Sequence, residues 1–147
     1  MMQRPTWAIA LACLCTTAVA FAADWPCFFG PARTGIAPDT GLNKDWAAKP
    51  PRELWRVNLG DGGYAGPCVA GGKVFIVDWA NGQDIVRAID LATGRDVWRY
   101  KYPSQTRDDF GSAECTPTWS EGLLYTVSRD GLINCLKADS GTLVWSA

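Results

Sequence analysis

Four cysteines are the side chains of this chain best suited to covalent or redox chemistry. The sequence has six cysteines, but Cys13 and Cys15 lie in an N-terminal segment that we expect to be removed on export. The others can form disulfides in an oxidising compartment, and their spacing does not decide the pairing. An equally good interpretation is that they are small buried strand residues. No Cys-x-x-Cys pair occurs among them, so their spacing predicts no metal site; the four are Cys27, Cys68, Cys115 and Cys135.

The absence of histidine restricts the other chemistry open to this sequence. Without histidine the chain cannot build a Ser-His-Asp or Cys-His nucleophile, a histidine zinc site or a Cys-x-x-Cys-His haem attachment. Most common hydrolase mechanisms are therefore excluded for this stretch of chain.

A short acidic cluster is the remaining group of chemical interest. Asp108, Asp109 and Glu114 lie between two repeated units of the sequence. Carboxylates in that position could line a channel, but a solvated loop is the interpretation that we favour. We assign no catalytic, cofactor-binding or metal-binding residue from the sequence.

A repeat of about 45 residues is the feature that must position all of these side chains. One copy runs from Gly66-Pro67 to Trp98 and the other from Thr116-Pro117 to Trp145. Each copy consists of short apolar runs separated by turn residues, which is typical of a β-propeller blade. The sequence therefore predicts an all-β fold made of four-stranded antiparallel blades.

The repeat predicts two blades and one additional strand. The first blade covers 61–102, with strands near 66–70, 73–78, 84–90 and 96–100. The second covers 111–147, with strands near 115–119, 123–128, 132–137 and 142–146. A lone strand at 53–59 carries Trp55, equivalent to the two repeat tryptophans, and is expected to belong to another blade.

The first copy is three residues longer than the second around Trp79. We expect an enlarged hairpin there, since loop length varies between blades. Trp79 would then be either an exposed contact for a partner or a cover for the edge of the neighbouring blade, and we favour the cover.

The N-terminus predicts export. Residues 1–23 combine Arg4, an apolar stretch and an Ala20-Phe21-Ala22 cleavage site, as in a secretory signal peptide. The mature protein is expected in the periplasm or outside the cell; a lipoprotein anchored at Cys13 is a less favoured alternative. The Pro/Gly-rich arm at 24–52 is expected to be ordered, because it contains several large apolar residues: Trp25, Phe28, Phe29 and Trp46.

Charge and apolar run length argue against a nucleic-acid partner and against a membrane span. The formal net charge is -1 and no basic tract occurs, so the chain shows no bias toward nucleic acid. No later stretch approaches the roughly 18 consecutive apolar residues of a membrane span, so we expect no transmembrane segment in the mature chain.

Ala88-x-Asp90-x-x-x-Gly94-x-x-x-Trp98 resembles the tryptophan-docking motif of the pyrroloquinoline quinone (PQQ)-like β-propeller repeat family. The second copy keeps Gly141 and Trp145 but has Cys135 and Lys137 in place of the alanine and the aspartate. The lead at 24–35 is similar to the start of secreted members of the family. The resemblance implies a structural role between blades for Asp90. It also implies that one set of residues docks each blade to the next: Trp55, Ala88, Asp90, Gly94, Trp98, Gly141 and Trp145.

The resemblance also implies a closed ring of about seven or eight blades. Two blades alone have open edges and little shared core. We therefore expect this sequence to be the N-terminal part of a longer protein, with the remaining blades in the missing C-terminal part.

Three functions are compatible with such a propeller. A PQQ-dependent quinoprotein dehydrogenase would need PQQ, calcium and channel-facing carboxylates, none of which can be assigned to residues here. A polysaccharide-binding propeller could stack sugars on Trp79, Trp119 or Tyr125, although packing within a blade also explains these rings, above all Tyr125. We favour a BamB-like, non-catalytic scaffold of the cell envelope that binds other envelope proteins.

Overall fold

The computed structural model describes residues 23–60, 63–105 and 113–147. It contains two four-stranded antiparallel sheets whose strands follow the order of the chain. Blade one comprises β1 (Cys68–Ala70), β2 (Lys73–Ala80), β3 (Gln83–Asp90) and β4 (Asp96–Pro103), and blade two comprises β5 (Thr118–Ser120), β6 (Leu123–Val127), β7 (Ile133–Lys137) and β8 (Leu143–Ser146). The predicted all-β fold of four-stranded blades is confirmed. No helix long and apolar enough to cross a bilayer occurs among the described residues.

Tight two-residue turns connect the strands where the sequence places glycine. Both residues of the Gly71-Gly72 and Asn81-Gly82 turns have positive φ, at 56° and 72° and at 53° and 75°. Such a pair of left-handed residues is what a type I′ hairpin turn requires. The two turns therefore join their strands without interrupting the ladder, as the sequence predicts.

The hairpin around Trp79 differs from the prediction of an enlarged loop. β2 and β3 each have eight residues and pair as far as Ala80 and Gln83, whereas β6 and β7 have five each. The additional residues thus lengthen the strands, because continued pairing satisfies their backbone groups. The side chain of Trp79 is half-buried against the core, and its Nε1 donates to the Ser104 carbonyl at 3.0 Å. Trp79 thus packs within the protein instead of standing free on a loop.

The core lies between the two sheets. Alternate residues of blade one face blade two, among them Phe75, Val77 and Val86, and meet Leu124 and Leu136 of blade two. β1 and β5 are the strands of the two sheets that approach each other most closely. The two sheets therefore approach each other most closely along their first strands, β1 and β5, which we call the inner edge of each blade.

The segment 53–59 forms no strand ladder among the described residues, so its place in another blade stays a prediction. A strand needs a ladder partner, and within the described residues none lies beside this segment. Side-chain contacts to blade one anchor the segment instead, beginning with Trp55.

A group of buried polar side chains also lies between the blades. Asp84 of β3 is 1% exposed. Burial raises the pKa of its carboxyl, and the nearby charge of Asp130 raises it further. Hydrogen bonds from Tyr102 and Ser104 lower the pKa, but by less than burial raises it. Among the described residues, one carboxylate oxygen of Asp84 accepts no hydrogen bond. Burial thus makes the ionised form of Asp84 less favourable in the folded state than in the unfolded state.

Replacing Asp84 by asparagine should therefore raise the melting temperature at neutral pH. The carboxyl of Asp84 has a higher pKa in the folded state than its unfolded-state value of about 3.9. Its contribution to stability is therefore fully present below the unfolded-state pKa, and it is lost as the pH rises through the folded-state pKa. The amide avoids burying a charge. Thermal melts of wild type and Asp84→Asn between about pH 4 and pH 8 measure the difference, which should shrink on acidification.

The exposed carboxylate of Asp139 provides the control, since Asp139→Asn should leave the melting temperature nearly unchanged at both ends of the range. A Tm of Asp84→Asn that falls equally at every pH would contradict the assignment of Asp84 as a group with raised pKa.

Candidate functional site

Two of the predicted docking tryptophans lie on the turn of the following unit. The indole of Trp55 covers Gly94, and its Nε1 donates to the Leu91 carbonyl at 2.9 Å. The indole of Trp98 covers Gly141, and its Nε1 donates to the Ala138 carbonyl at 3.1 Å. In both cases the accepting carbonyl belongs to the turn that the glycine closes, so the two contacts are equivalent.

Only glycine fits beneath these rings. Gly94 and Gly141 have φ of 70° and 71°, a left-handed conformation that other residues adopt at a cost. A Cβ at Gly94 would lie 2.7 Å from the indole of Trp55, and one at Gly141 would lie 2.6 Å from that of Trp98. The glycine is therefore required twice, for the turn and for the approach of the indole.

Ala88 and Cys135 occupy the same position in the two blades. Ala88 pairs with Trp98 across β3 and β4, and Cys135 pairs with Trp145 across β7 and β8. Both small residues are fully buried. A small side chain opposite the tryptophan leaves room for the sheet to pack against its neighbour, and cysteine meets this requirement as alanine does.

Asp90 acts inside its own turn, which corrects the expectation of a role between blades. Its carboxylate accepts hydrogen bonds from the hydroxyl and the backbone N–H of Thr93, at 2.7 and 2.8 Å. These bonds lower the pKa of Asp90. An aspartate that bonds the backbone a few residues later stabilises a turn. In blade two, where Lys137 replaces the aspartate, the hydroxyls of Ser140 and Thr142 lie 2.9 Å apart in the turn.

Trp145 is the third tryptophan of the series, and its surroundings differ. It is 43% exposed, and the ring of Tyr125 packs against it with a centroid distance of 6.2 Å. Phe75 and Trp98 form the corresponding pair in blade one, at 5.9 Å. Tyr125 therefore occupies a packing position of the repeat, and the outer face of Trp145 is the face that a following unit would cover.

The N-terminal arm lies along the inner edge of both blades. The backbone N–H and carbonyl of Trp25 bond to Val69 of β1, at 2.8 and 2.9 Å. The next carbonyl, of Pro26, accepts from the N–H of Trp119 in β5 at 2.8 Å. Gly30 lets the indole of Trp25 fold back over the chain, since a Cβ there would lie 2.7 Å from the ring. The arm thus pairs with the edge strands β1 and β5, on the side where the two blades approach each other.

A buried ion-pair network ties the segment before blade one to that blade. Arg87 of β3 is 6% exposed and binds Asp96 through Nε and Nη2 at 2.9 and 3.1 Å, and Asp78 through Nη1 at 3.2 Å. The same Nη1 donates to the carbonyl of Asn58 at 3.1 Å, and Asp78 accepts from the N–H of Gly60 at 2.7 Å. The network holds residues 58–60 where the Trp55 indole also docks.

Hydrogen bonding governs the charges of this network. Although burial alone would lower the pKa of Arg87, its bonds with Asp96 and Asp78 raise it. Although burial alone would raise the pKa of Asp96, bonds from Arg87 and Arg99 lower it. Arg87 and Asp96 thus remain ionised near neutral pH, and their charges hold the network together. Sequence reasoning missed the network; an arginine inside the apolar run of β3 was the signal that could have indicated it.

Comparisons with known proteins agree with this geometry. A family model described as "Outer membrane protein assembly factor BamB" matches residues 46–147. The chain belongs to this family. A curated member, the outer membrane protein assembly factor BamB of Xanthomonas campestris pv. campestris, is 34% identical over 103 residues, which cover 65% of this chain and 25% of the relative. The chain therefore spans about a quarter of the length of that relative.

Solved structures of two propellers are also similar to this member of the BamB family. BamB from Moraxella catarrhalis is 22% identical, with a TM-score of 0.48 over 64% of this chain and 26% of that one. A quinohemoprotein alcohol dehydrogenase from Pseudomonas putida HK5 is 24% identical, with a TM-score of 0.45 over 63% and 14%.

The four cysteines that the structure of this BamB-family chain describes are unpaired: Cys27, Cys68, Cys115 and Cys135. Cys68 and Cys135 are fully buried, and burial raises the pKa of the Cys68 thiol to about 12, so Cys68 is a poor nucleophile. Glu114 of the acidic cluster binds Arg129 at 2.7 Å. Asp108 and Asp109 lie outside the described residues.

The first strand of each blade carries no charged side chain. β1 is Cys-Val-Ala and β5 is Thr-Trp-Ser, and the residues at 61–62 and 106–112 that precede these strands lie outside the described residues. The described part of the chain also contains no group of three residues suited to hold a metal ion. A quinone or calcium ion would have to be held by other residues.

Removing a docking indole should destabilise the protein strongly. Trp98→Ala leaves the Gly141 turn uncovered and the Ala138 carbonyl unpaired, and large core aromatics typically cost about 3–5 kcal/mol on truncation. Chemical denaturation of the full-length protein measures the loss. Trp46→Ala is the control, because Trp46 is 65% exposed in the arm; equal losses in both variants would contradict the docking role.

The glycine beneath the indole can be tested separately from its backbone conformation. Gly122 has φ of 80° but open space around a would-be Cβ, whereas Gly141 at 71° has the Trp98 ring there. Both alanine variants should lose about 1–2 kcal/mol from the left-handed conformation, and Gly141→Ala should lose clearly more. Comparable unfolding free energies for the two variants would show that the indole does not rest on Gly141.

Proposed function

We propose that this protein is a non-catalytic, BamB-like scaffold of the cell envelope that binds other envelope proteins. The observation that carries the proposal is the path of the arm. Its backbone hydrogen-bonds to the inner strands of both blades, at Val69 and Trp119. A ligand held against these edges would have to displace the chain itself. This favours binding through outer surfaces over chemistry in a central channel.

The use of the charged residues supports the same function. Arg87, Asp78 and Asp96 are consumed by the network that holds residues 58–60, and Asp90 by its turn. None of them is left to abstract a proton or to polarise a substrate. The charged groups described in blade one thus maintain the architecture on which a binding surface depends.

The site of action that we propose is the periplasm, facing the outer membrane. The signal-like sequence at 1–23 directs export, and the name of the Xanthomonas relative assigns that protein to outer-membrane protein assembly. Assembly factors act by holding partners through loops and strand edges, which needs no cofactor. The partners we expect are therefore other envelope proteins.

Deleting the gene in the source organism should lower the amounts of integral outer-membrane proteins. Quantitative mass spectrometry of the outer-membrane fraction measures the effect, and a wild-type copy should restore it. A copy carrying Trp98→Ala should restore it poorly, because the blades no longer dock, while Trp46→Ala should restore it fully.

Two results would overturn the proposal. One is an unchanged outer-membrane fraction in the deletion strain. The other is dye-linked oxidation of an alcohol by the purified full-length protein supplied with PQQ and calcium, which would support the quinoprotein alternative.

A further inference from the structure

Two cysteines lie close together where the N-terminal arm crosses blade one. The backbone of Trp25 pairs with Val69 of β1 in the antiparallel direction. In this register Pro26 is opposite Cys68, and Cys27 lies one position further along the arm. Neighbouring strands are about 4.8 Å apart and rise about 3.4 Å per residue, which places the Cα atoms of the two cysteines about 6 Å apart. The Cα atoms of a disulfide are typically about 4.4–6.8 Å apart.

The contacts of Trp119 locate the Cys68 sulfur beside the arm. The N–H of Trp119 donates to the carbonyl of Pro26 at 2.8 Å, and the backbone of Trp119 also hydrogen-bonds to the Cys68 thiol. Cys68 is fully buried. Its sulfur therefore lies near the peptide bond that leads from Pro26 into Cys27.

Cys27 begins a turn, so its side chain does not follow the alternation of a strand. The N–H of Gly30 donates to the Cys27 carbonyl at 2.9 Å, and Cys27 Sγ donates to the Gly30 carbonyl at 3.1 Å. Burial raises the pKa of the Cys68 thiol, the backbone of Trp119 lowers it, and the Cys27 thiol raises it further. Like charges raise a pKa in this way when they are close. The bond to Gly30 is the contact that Cys27 gives up on joining Cys68.

The other two described cysteines have different neighbours. Cys135 pairs with Trp145 across β7 and β8, and the carboxylates beside Cys115 are those of Glu114 and Asp84. Within the part of the chain that the structure describes, the arm crossing is thus the place where the contacts of two cysteines point to a cross-link.

We propose that Cys27 and Cys68 form a disulfide that fixes the arm to blade one in the exported protein. The proposal does not depend on the scaffold role, but it rests on the proposed export, because disulfides persist in oxidising compartments. It adds a covalent link to the hydrogen bonds that already hold the arm at Val69.

The oxidant that the reaction needs is a disulfide-bearing oxidoreductase. Cys27 is half-buried and Cys68 is buried, so the Cys27 thiolate attacks the disulfide of the oxidoreductase and forms a mixed disulfide. The Cys68 thiolate then displaces the oxidoreductase from the Cys27 sulfur. The two thiols of this chain lose two protons and two electrons, and the oxidoreductase takes them up as two thiols.

Peptide mapping of the full-length protein tests the pairing. Protein from the periplasmic fraction is treated with N-ethylmaleimide in denaturant, which blocks free thiols, and is digested with trypsin without reduction. The four cysteines fall in separate tryptic peptides, namely the one that ends at Arg33 and those at 57–73, 108–129 and 130–137. Mass spectrometry should find the peptide that ends at Arg33 joined to 57–73.

Thermal melts with and without reductant measure the effect of the link. A disulfide that closes the loop 28–67 restricts the unfolded chain and so stabilises the fold. The Tm of Cys27→Ser should lie several degrees below that of the wild type, and the difference should disappear when a reductant is added. The serine hydroxyl can still bond to Gly30, so the variant removes little besides the link. Cys115→Ser is the matched control and should keep the wild-type response to reductant.

Three outcomes would overturn the proposal. One is N-ethylmaleimide on both Cys27 and Cys68, or a link from either to another peptide. A second is a difference in Tm between the wild type and Cys27→Ser that reductant leaves unchanged. The third is absence of the protein from the periplasmic fraction, which would contradict the export on which the disulfide rests and not the geometry of the two cysteines.

Discussion

The packing of an indole on a glycine turn is the interaction on which the arrangement of the blades depends. Trp55 on Gly94 and Trp98 on Gly141 repeat the same ring contact and the same hydrogen bond to a turn carbonyl. Each contact joins one unit to the next, so the position of each of the two blades follows from the unit before it. Since the indole takes the space of a Cβ and the turn takes a positive φ, no residue other than glycine meets both demands.

A second constraint is that the unpaired strand edges and the apolar faces of the two sheets need partners. The arm pairs with β1 and β5 through Trp25 and Pro26 and so satisfies backbone groups at the inner edge. Elsewhere on blade one, the Arg87 network and Trp55 hold residues 58–60. A buried ion pair adds little net stability, but a buried charge without its partner is costly. The network thus favours one position of the segment over others.

Differences between the two copies of the repeat are where specific surfaces arise. The docking glycines and tryptophans are shared, whereas the position of Asp90 becomes Lys137 in blade two. The aspartate closes a turn, and hydroxyl groups occur in the corresponding turn of blade two. The exchanged position therefore carries opposite charges in the two blades. Shared residues maintain the fold of the BamB family, and exchanged residues can give each interface its own chemistry.

The sequence alone determined the fold class, the four-strand order of each blade and the turn glycines, because these depend on local periodicity and on φ values that few residues tolerate. The docking role of the tryptophans and glycines was implied by the resemblance of residues 88–98 to a known repeat motif. Only the tertiary structure decided which turn each indole covers, that Asp90 serves its own turn, that 53–59 is anchored without a ladder, and that Trp79 packs inward. The Arg87 network and the path of the arm were likewise decided there. These features depend on contacts between residues far apart in the chain, and no local pattern encodes which distant group will satisfy a buried charge, an indole or a free strand edge.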